Sequence, residues 1–284
     1  MRSLLGLSCV ALLLCVVGCG GGRVSGEFRP DEKLTAWDDS EWAEVLDQVA
    51  TENGFVRWDQ IENNTDGVRD KLFRHVGKIG AASPANRPDL FDTDEDVVAY
   101  YINAYNALCM YGVVKRGYPG NVLRPGFVDP GSLFFIDRFY VGGERMNLDT
   151  LEQKKLLDRT GRDPRLHFAV NCMSFSCPPL RQEPYSGEKL LAQLKEQGET
   201  FLSDPRAVKR DDADTVRMND IFTSFYRKDF VNDVDGPTRG DLALIQSVER
   251  FAKPDWPGKG ATDVAGLGYQ WDLNRPPAQW PPQD

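Results

Sequence analysis

Histidine and cysteine are scarce in this chain, which has two histidines and six cysteines among 284 residues. A structural zinc site usually needs two close Cys or His pairs, and the sequence offers no second pair. His167, Cys172 and Cys177 follow one another at intervals of five residues, so we predict no metal site. Cys172 and Cys177 also lack the two-residue spacing that lowers the thiol pKa in disulfide oxidoreductases.

Positive charge is also scarce, because 34 Lys and Arg residues face 43 Asp and Glu residues and the net charge is −9. No basic stripe is visible, so we predict no nucleic-acid partner. A glycine-rich phosphate loop and a Gly-x-Ser-x-Gly nucleophile elbow are both absent from the sequence. We therefore predict no cofactor.

The first residues have the pattern of an exported lipoprotein. Arg2 precedes an apolar run from Leu4 to Val17, which is shorter than the roughly 20 residues that span a bilayer. The sequence "VVGC" at Val16–Cys19 resembles a lipobox. We predict a signal peptide over 1–18, a lipidated Cys19 as membrane anchor, and a flexible Gly-rich tether over 19–39. The predicted location is the bacterial cell envelope, on the periplasmic side of the outer membrane if the host has two membranes.

Export and lipidation leave three cysteines for the folded part: Cys109, Cys172 and Cys177. An exported protein is in an oxidising compartment, and three thiols allow at most one intramolecular disulfide. A structural Cys172–Cys177 disulfide is therefore one interpretation of the pair.

The order of the predicted elements indicates a single-domain α+β fold, with helices packed on a small sheet with hairpins. We predict an N-terminal helical part over 40–93, a core over 94–274 and a tail over 275–284, with the Trp- and Pro-rich chain after Pro254 irregular. Gly142-Gly143 predicts a hairpin turn, and "AVKRDDADTVRMN" predicts a second hairpin. "FVRWDQI" and "RLHFAV" are interpreted as strands. The predicted helices are 40–53, 67–79 (with His75 exposed), 95–115, 149–158, 187–202, 219–225 and 240–251.

The segment "HFAVNCMSFSCPPL" (His167–Leu180) is the one place where the rare reactive residues are concentrated. A nucleophilic cysteine needs a base, and the base needs a third group that orients it. We predict that Cys172 or Cys177 attacks, with His167 as the base within hydrogen-bond reach of the sulfur. Glu152 or Asn103 is predicted to orient the histidine. Asn103 and Asn106 lie three residues apart on the long helix, either tying it to a loop or binding substrate.

Five segments together are similar to a known family: "YYINAYNAL", "LDTLEQKKLL", "DPRLHFAVNCMSFSCPPL", "FLSDPRAV" and "GYQWDLN". From about Asp94 to Asn274 the chain resembles the bacterial family of domains of unknown function numbered five-four-seven, which also has plant members. The resemblance implies no activity. It implies that Met173 and Phe175, bulkier than expected, narrow any pocket. The residues that match motif positions are Asn103, Asn106, Glu152, His167, Asn171, Cys172, Ser174 and Cys177.

Two functional hypotheses follow. The first is a thiol-dependent hydrolase or acyl-transferase acting on a peptide, amide or ester of the cell envelope, with Cys172, Cys177, His167 and Glu152 catalytic. In it Asn103, Asn106, Asn171 and Ser174 bind an unidentified envelope substrate or protein. The second is a non-catalytic binding or scaffold module whose two cysteines form a structural disulfide.

Overall fold

A computed structural model of the chain describes residues 26, 27, 29, 34–123, 132–232 and 240–278. Its architecture is α+β within a single domain, as predicted. The α-helices are α1 (Ser40–Val49), α2 (Trp58–Glu62), α3 (Val68–Ala81), α4 (Asp94–Lys115), α5 (Ser132–Phe135), α6 (Leu148–Thr150), α7 (Leu190–Leu202), α8 (Arg227–Asn232) and α9 (Gly240–Glu249). The strands are β1 (Phe139–Val141), β2 (Glu144–Met146), β3 (Val208–Arg210), β4 (Thr215–Asn219) and β5 (Asp263–Gly268).

Shorter helical turns connect these elements. Two are π-helical, Leu151–Leu157 directly after α6 and Ile221–Phe225 before α8. The 3-10 turns are Thr65–Gly67, Pro88–Leu90, Asp158–Thr160, Pro164–Phe168 and Gly187–Lys189. Single π-helical turns are rare and are frequent at functional sites. Both π-helical segments contribute residues to the cavity described below.

The long helix α4 forms the centre of the fold. Thr93 and Asp96 form a reciprocal capping box at its start, a motif that stabilises a helix by about 1 kcal/mol. Every residue from Val97 to Val113 is buried, so α4 is covered on all sides. By length and composition it is the one helix among the described residues that is apolar enough to cross a membrane. Its burial within the protein accounts for that composition.

Both predicted hairpins are confirmed. Gly142 and Gly143 have positive φ values of 58° and 79°, the backbone conformation that a tight turn between β1 and β2 requires. β3 and β4 are antiparallel, and β5 pairs with β4 in parallel, with Val216 opposite Val264. The prediction of a wholly irregular tail is therefore wrong, because residues 263–268 add a third strand.

Two strand predictions are wrong. In "RLHFAV", residues Pro164–Phe168 form a 3-10 helix, because Asp163 caps the backbone N–H of Arg165 and Pro164 stands in the first turn. In "FVRWDQI", only Val56 makes a strand-like bridge, to Ala50, and helix α2 begins two residues later.

The prediction of an exposed His75 is also wrong, since the side chain is fully buried. Its helix α3 packs against α1 on one side and α4 on the other, which leaves no solvent-facing side at this position. The imidazole stacks on Trp42, with ring centroids 5.9 Å apart, and meets the edge of Trp37. Burial lowers the pKa of His75 to about 3, so the ring is neutral.

Contacts with the domain begin before the predicted boundary at Ser40. Trp37 packs against Phe91 and Tyr100, and the Tyr111 hydroxyl donates to the Glu27 carboxylate, 3.1 Å away. Part of the segment predicted as a free tether therefore lies against the core. The predicted signal peptide over 1–18 and the predicted lipidation site Cys19 lie outside the described residues.

Buried apolar side chains form two clusters. The larger is built around α1, α3 and α4, and the smaller around α7, β3, β4, α8 and α9. Tyr226, between the Ile221–Phe225 turn and α8, packs against both clusters. The candidate site lies where the two clusters meet.

Candidate functional site

The cysteine loop, defined as residues 169–180, follows the 3-10 helix Pro164–Phe168 and reverses direction sharply. Met173 has a positive φ of 64°, and its backbone N–H donates to the Asn171 side chain at 2.7 Å. This reversal brings Cys172 and Cys177 together: the Cys172 backbone N–H donates to the Cys177 sulfur at 3.0 Å. Both cysteines are free thiols in this structure.

Two hydroxyl groups also surround the Cys177 sulfur. The Ser174 hydroxyl lies at 3.4 Å and the Tyr269 hydroxyl at 3.2 Å. Burial opposes ionisation of Cys177, but the donors outweigh it and lower its pKa below the ordinary value. Hydrogen bonds to a thiolate stabilise the charged form, so this environment favours ionisation of Cys177.

Burial affects the other two cysteines of the described chain in the opposite direction. Burial, together with the neighbouring Cys177 sulfur, raises the pKa of Cys172 well above its ordinary value. Cys109 is fully buried on α4, and burial likewise raises its thiol pKa. Because the thiolate is the attacking species, these directions favour Cys177 over Cys172 and Cys109.

His167 is held by a carboxylate on α8. Its Nε2 lies 2.9 Å from Asp229 Oδ2, and Arg162 binds both oxygens of the same carboxylate at 2.7 and 3.0 Å. Burial opposes ionisation of Asp229, but hydrogen bonds from His167 and Arg162 lower its pKa to about 2. An ionised Asp229 accepts the Nε2 proton, which fixes the neutral tautomer with its lone pair on Nδ1.

The Nδ1 atom of His167 is buried and has no hydrogen-bond partner among the described residues. Burial lowers the pKa of the ring in spite of the Asp229 carboxylate, so the ring is an unprotonated base at neutral pH. The ring stacks on Tyr226 with centroids 3.9 Å apart. The predicted direct hydrogen bond between His167 and a thiol is therefore wrong. Asp229, not Glu152 or Asn103, orients the imidazole.

Glu152 has a different environment, in the first turn of the Leu151–Leu157 π-helix. The side chain is 6% exposed, and its Oε1 accepts a hydrogen bond of 2.5 Å from the Tyr226 hydroxyl. Burial raises the pKa of Glu152 to about 7, although hydrogen bonds from Tyr226 and Tyr105 oppose the shift. A carboxyl group with this pKa can both donate and accept a proton near neutral pH.

This raised pKa predicts that Glu152→Gln stabilises the protein at alkaline pH. The native state keeps the Glu152 proton between pH 4.5 and about 7, where the unfolded chain has lost it, so stability falls as pH rises through that window. Gln removes this loss, which amounts to about 3 kcal/mol at most for a shift of this size. Thermal unfolding should give Glu152→Gln a higher Tm than wild type at pH 8. The difference should shrink toward pH 4, and a difference that grows instead would contradict the assignment.

These groups line one cavity of about 370 Å³. Its ionisable members include Glu152, His167, Cys172 and Cys177. The rest of the wall is mainly aromatic and aliphatic: Tyr105, Leu123, Phe134, Phe135, Val170, Pro178, Ile221, Phe225, Tyr226, Tyr269 and Trp271, with Asp149 as a further acidic member. A concave apolar pocket with a few convergent polar groups of shifted pKa is the usual form of an active site.

The predicted amide residues lie behind the cavity wall and are not among the residues that line it. Asn103 exchanges hydrogen bonds with the backbone of Tyr185 at 2.8 and 3.0 Å. Asn106 donates to the Ala169 carbonyl and accepts from the Asn171 backbone N–H. Both amide side chains therefore tie α4 to loops, and a substrate-binding role for Asn103 and Asn106 stays a prediction.

Asn171 and Ser174 serve the cysteine loop itself. The Asn171 amide donates to the Pro178 carbonyl at 2.6 Å, and its oxygen accepts the Met173 backbone N–H. Ser174 is fully buried, and its hydroxyl contacts the Tyr269 hydroxyl at 2.7 Å. Both side chains hold the thiols in place, and neither is among the residues that line the cavity. Their role as substrate-binding residues stays a prediction.

The expected narrowing of the pocket by Met173 and Phe175 is wrong as well. Met173 is fully buried in the larger apolar cluster. Phe175 packs against Phe55, with ring centroids 5.8 Å apart. Neither side chain lines the cavity.

Four residues of the site were missing from the sequence prediction: Asp229, Arg162, Tyr226 and Tyr269. His167 and Asp229 are 62 positions apart, so no local spacing relates them. Tyr269 lies in "GYQWDLN", one of the segments that carried the family resemblance, and this was the one available signal. Among the described residues, no three His, Cys, Asp or Glu side chains are grouped so that they could hold a metal ion.

Comparison with known proteins identifies a family but no activity. Residues 91–202 match the model of a family described as Protein of unknown function, DUF547. The match includes the cysteine loop, His167 and Glu152, whereas Tyr226, Asp229 and Tyr269 follow it in the chain. No curated protein and no solved structure matches the chain. Over residues 91–202, the chain is therefore similar to the DUF547 family.

Proposed function

We propose that this protein is a thiol-dependent hydrolase or acyl-transferase that acts on ester, amide or peptide bonds. One observation carries the proposal: a single cavity is lined by a thiol of lowered pKa and by an unprotonated histidine whose tautomer is fixed by Asp229. A carboxyl group that titrates near neutral pH, Glu152, lines the same cavity. Together these are a nucleophile, a base with its orienting group, and an acid.

In the first half of the reaction the Cys177 thiolate attacks the substrate carbonyl carbon. A carbon–sulfur bond forms, and the carbonyl electron pair moves onto oxygen. The tetrahedral intermediate then collapses, the bond to the leaving group breaks, and the leaving group takes the proton of Glu152. The products are a thioester on Cys177 and the free alcohol or amine.

In the second half a water molecule, or the hydroxyl or amine of an acceptor, gives its proton to His167 Nδ1 as it attacks the thioester carbon. The carbon–sulfur bond breaks and the Cys177 thiolate is restored. The imidazolium that forms is stabilised by the Asp229 carboxylate on Nε2. Return of the proton from His167 to Glu152, directly or through solvent, resets both groups.

The alternative function is a non-catalytic envelope module that is cross-linked by a Cys172–Cys177 disulfide. One observation favours it. The two cysteines lie close together, since the Cys172 backbone N–H donates to the Cys177 sulfur at 3.0 Å, and an exported protein is in an oxidising compartment. The two functions differ in the number of free thiols. Alkylation of the denatured chain without reductant should modify Cys109, Cys172 and Cys177. Modification of Cys109 alone would favour the non-catalytic module with the disulfide.

We expect a thiol-reactive electrophile such as iodoacetamide to modify Cys177 first in the folded protein at neutral pH. Replacing Tyr269 by Phe removes one hydroxyl donor from the sulfur, so the pKa rises and alkylation should slow by about 3- to 10-fold. Peptide mass spectrometry with timed quenching measures both the site that is modified first and the rate of its alkylation. Tyr118→Phe, at a tyrosine that does not line the cavity, is the matched control. Equal labelling of Cys109, or an unchanged rate in Tyr269→Phe, would argue against an activated thiol.

We further propose that the protein is a lipoprotein of the bacterial cell envelope, anchored to the membrane through Cys19. The support is the sequence pattern "VVGC" after a short apolar run. Cys19→Ser should leave unprocessed precursor and abolish partitioning into membranes, which fractionation and immunoblotting detect. Cys15→Ser removes the neighbouring cysteine and should be processed like wild type. Normal processing and membrane association of Cys19→Ser would refute the anchor.

A further inference from the structure

An aromatic path leads from the thiols to the protein surface. The Tyr269 hydroxyl contacts both cysteine sulfurs, at 3.2 and 3.3 Å, and its ring packs on Trp271 with centroids 4.4 Å apart. Trp271 in turn contacts Phe225 and Phe134, with centroids at 5.8 and 6.2 Å. Phe134 contacts Phe135, which completes an unbroken series of rings.

The outer end of this path is exposed. Phe135 is 54% exposed and Phe225 is 45% exposed, and both line the cavity. Large aromatic side chains in contact with solvent at the mouth of a pocket indicate a surface that binds an apolar partner or ligand. The groups with acid–base chemistry lie around Tyr226, in the inner part of the cavity. Glu152 accepts a hydrogen bond from the Tyr226 hydroxyl, and His167 stacks on the Tyr226 ring.

We propose that the acyl group transferred or hydrolysed at Cys177 is a neutral hydrocarbon chain that lies along the aromatic path, an inference that rests on the thiol mechanism proposed above. The carbonyl carbon then reaches the Cys177 sulfur, and the chain extends past Trp271 toward Phe225 and Phe135. A cavity of about 370 Å³ holds roughly a dozen groups the size of a water molecule or a methylene, at ~30 Å³ each. Acyl chains of about 8 to 12 carbons therefore match its capacity.

The test is the specificity constant of the full chain for p-nitrophenyl esters from acetate to dodecanoate, used below their micelle concentrations. Each methylene buried in the cavity should raise kcat/KM by about 3- to 4-fold, the equivalent of ~0.8 kcal/mol. The rise should stop once the cavity is filled. Intrinsic ester reactivity changes little beyond butanoate, so the increase from butanoate to octanoate reports binding of the chain.

Two variants test whether the aromatic path causes the rise of kcat/KM with chain length. Phe225→Ala shortens the aromatic wall and should lower the octanoate-to-acetate ratio of kcat/KM by at least about 10-fold. Leu191→Ala, at an equally large apolar side chain that is 59% exposed on α7 and does not line the cavity, should leave the ratio unchanged. Acetate turned over as fast as octanoate, or a ratio unaffected by Phe225→Ala, would overturn the inference about the chain alone. Absence of any acyl adduct on Cys177 with every ester would instead overturn the thiol mechanism, and the inference with it.

Discussion

Asp229→Asn should lower kcat by about 100- to 10,000-fold while the acyl-enzyme accumulates. An asparagine amide can donate to Nε2 of His167, which moves the imidazole proton to Nδ1 and removes the base that activates water. Formation of the thioester depends on Cys177 and its donors, so the first turnover should remain fast. Stopped-flow release of p-nitrophenol should therefore show a burst close to one equivalent, followed by a very slow steady state.

Asp163→Asn is the matched control for this variant. Asp163 also pairs with an arginine, Arg165, and caps the helix that carries His167, but it does not line the cavity. Asparagine keeps the cap, so its kcat should be close to wild type. A folded Asp229→Asn protein with wild-type kcat would exclude the proposed role of the histidine.

Truncation after Lys253 should prevent folding at room temperature or lower the Tm by more than about 10 °C. The truncated chain loses β5 and the buried side chains of Trp256 and Leu273. Burial of large apolar side chains contributes about 1.5–3 kcal/mol each, against a typical total stability of 5–15 kcal/mol. The truncated chain also loses Asn274, whose backbone carbonyl accepts a hydrogen bond from the Trp58 indole N–H at 2.8 Å.

A chain that ends at Asn274 is the control for truncation, because residues 275–278 are exposed. Its Tm should equal that of the full chain, and it should keep the Tyr269 hydroxyl near the thiols. Circular dichroism during heating compares the two truncated proteins directly. Cooperative unfolding of the shorter chain at the wild-type temperature would show that the tail is not part of the domain.

Local signals in the sequence were sufficient for much of the fold. The cap at Thr93 and the apolar run after it predict α4, and Gly142-Gly143 predicts the first hairpin. His75 was misplaced because helix α3 is covered by α1, α4 and Trp37, and sequence periodicity does not reveal how many neighbours a helix has. The apolar run "RLHFAV" predicts a strand, but Asp163-Pro164 before it is a helix-start signal, and the cap determines the local conformation.

The candidate site was predictable only in its local part. His167, Cys172 and Cys177 lie within eleven consecutive positions, and the rarity of their residue types made them visible. Asp229 reaches His167 from α8, and Tyr269 reaches the thiols from the tail, 92 positions after Cys177. Such contacts depend on how the elements pack. Glu152 lines the cavity, but burial raises its pKa and gives it the properties of an acid rather than those of an orienting group.

The most direct test of a nucleophilic Cys177 is the site of acylation after rapid quenching. Wild type and Asp229→Asn are mixed with p-nitrophenyl octanoate, acid-quenched within milliseconds to seconds, and digested. Cys172 and Cys177 fall in the same tryptic peptide, from Leu166 to Arg181, so fragmentation must separate them. We expect one octanoyl group per chain on Cys177, transient in wild type and persistent in Asp229→Asn. Acylation of Cys172 or Cys109, or no acylated cysteine in either protein, would contradict the account.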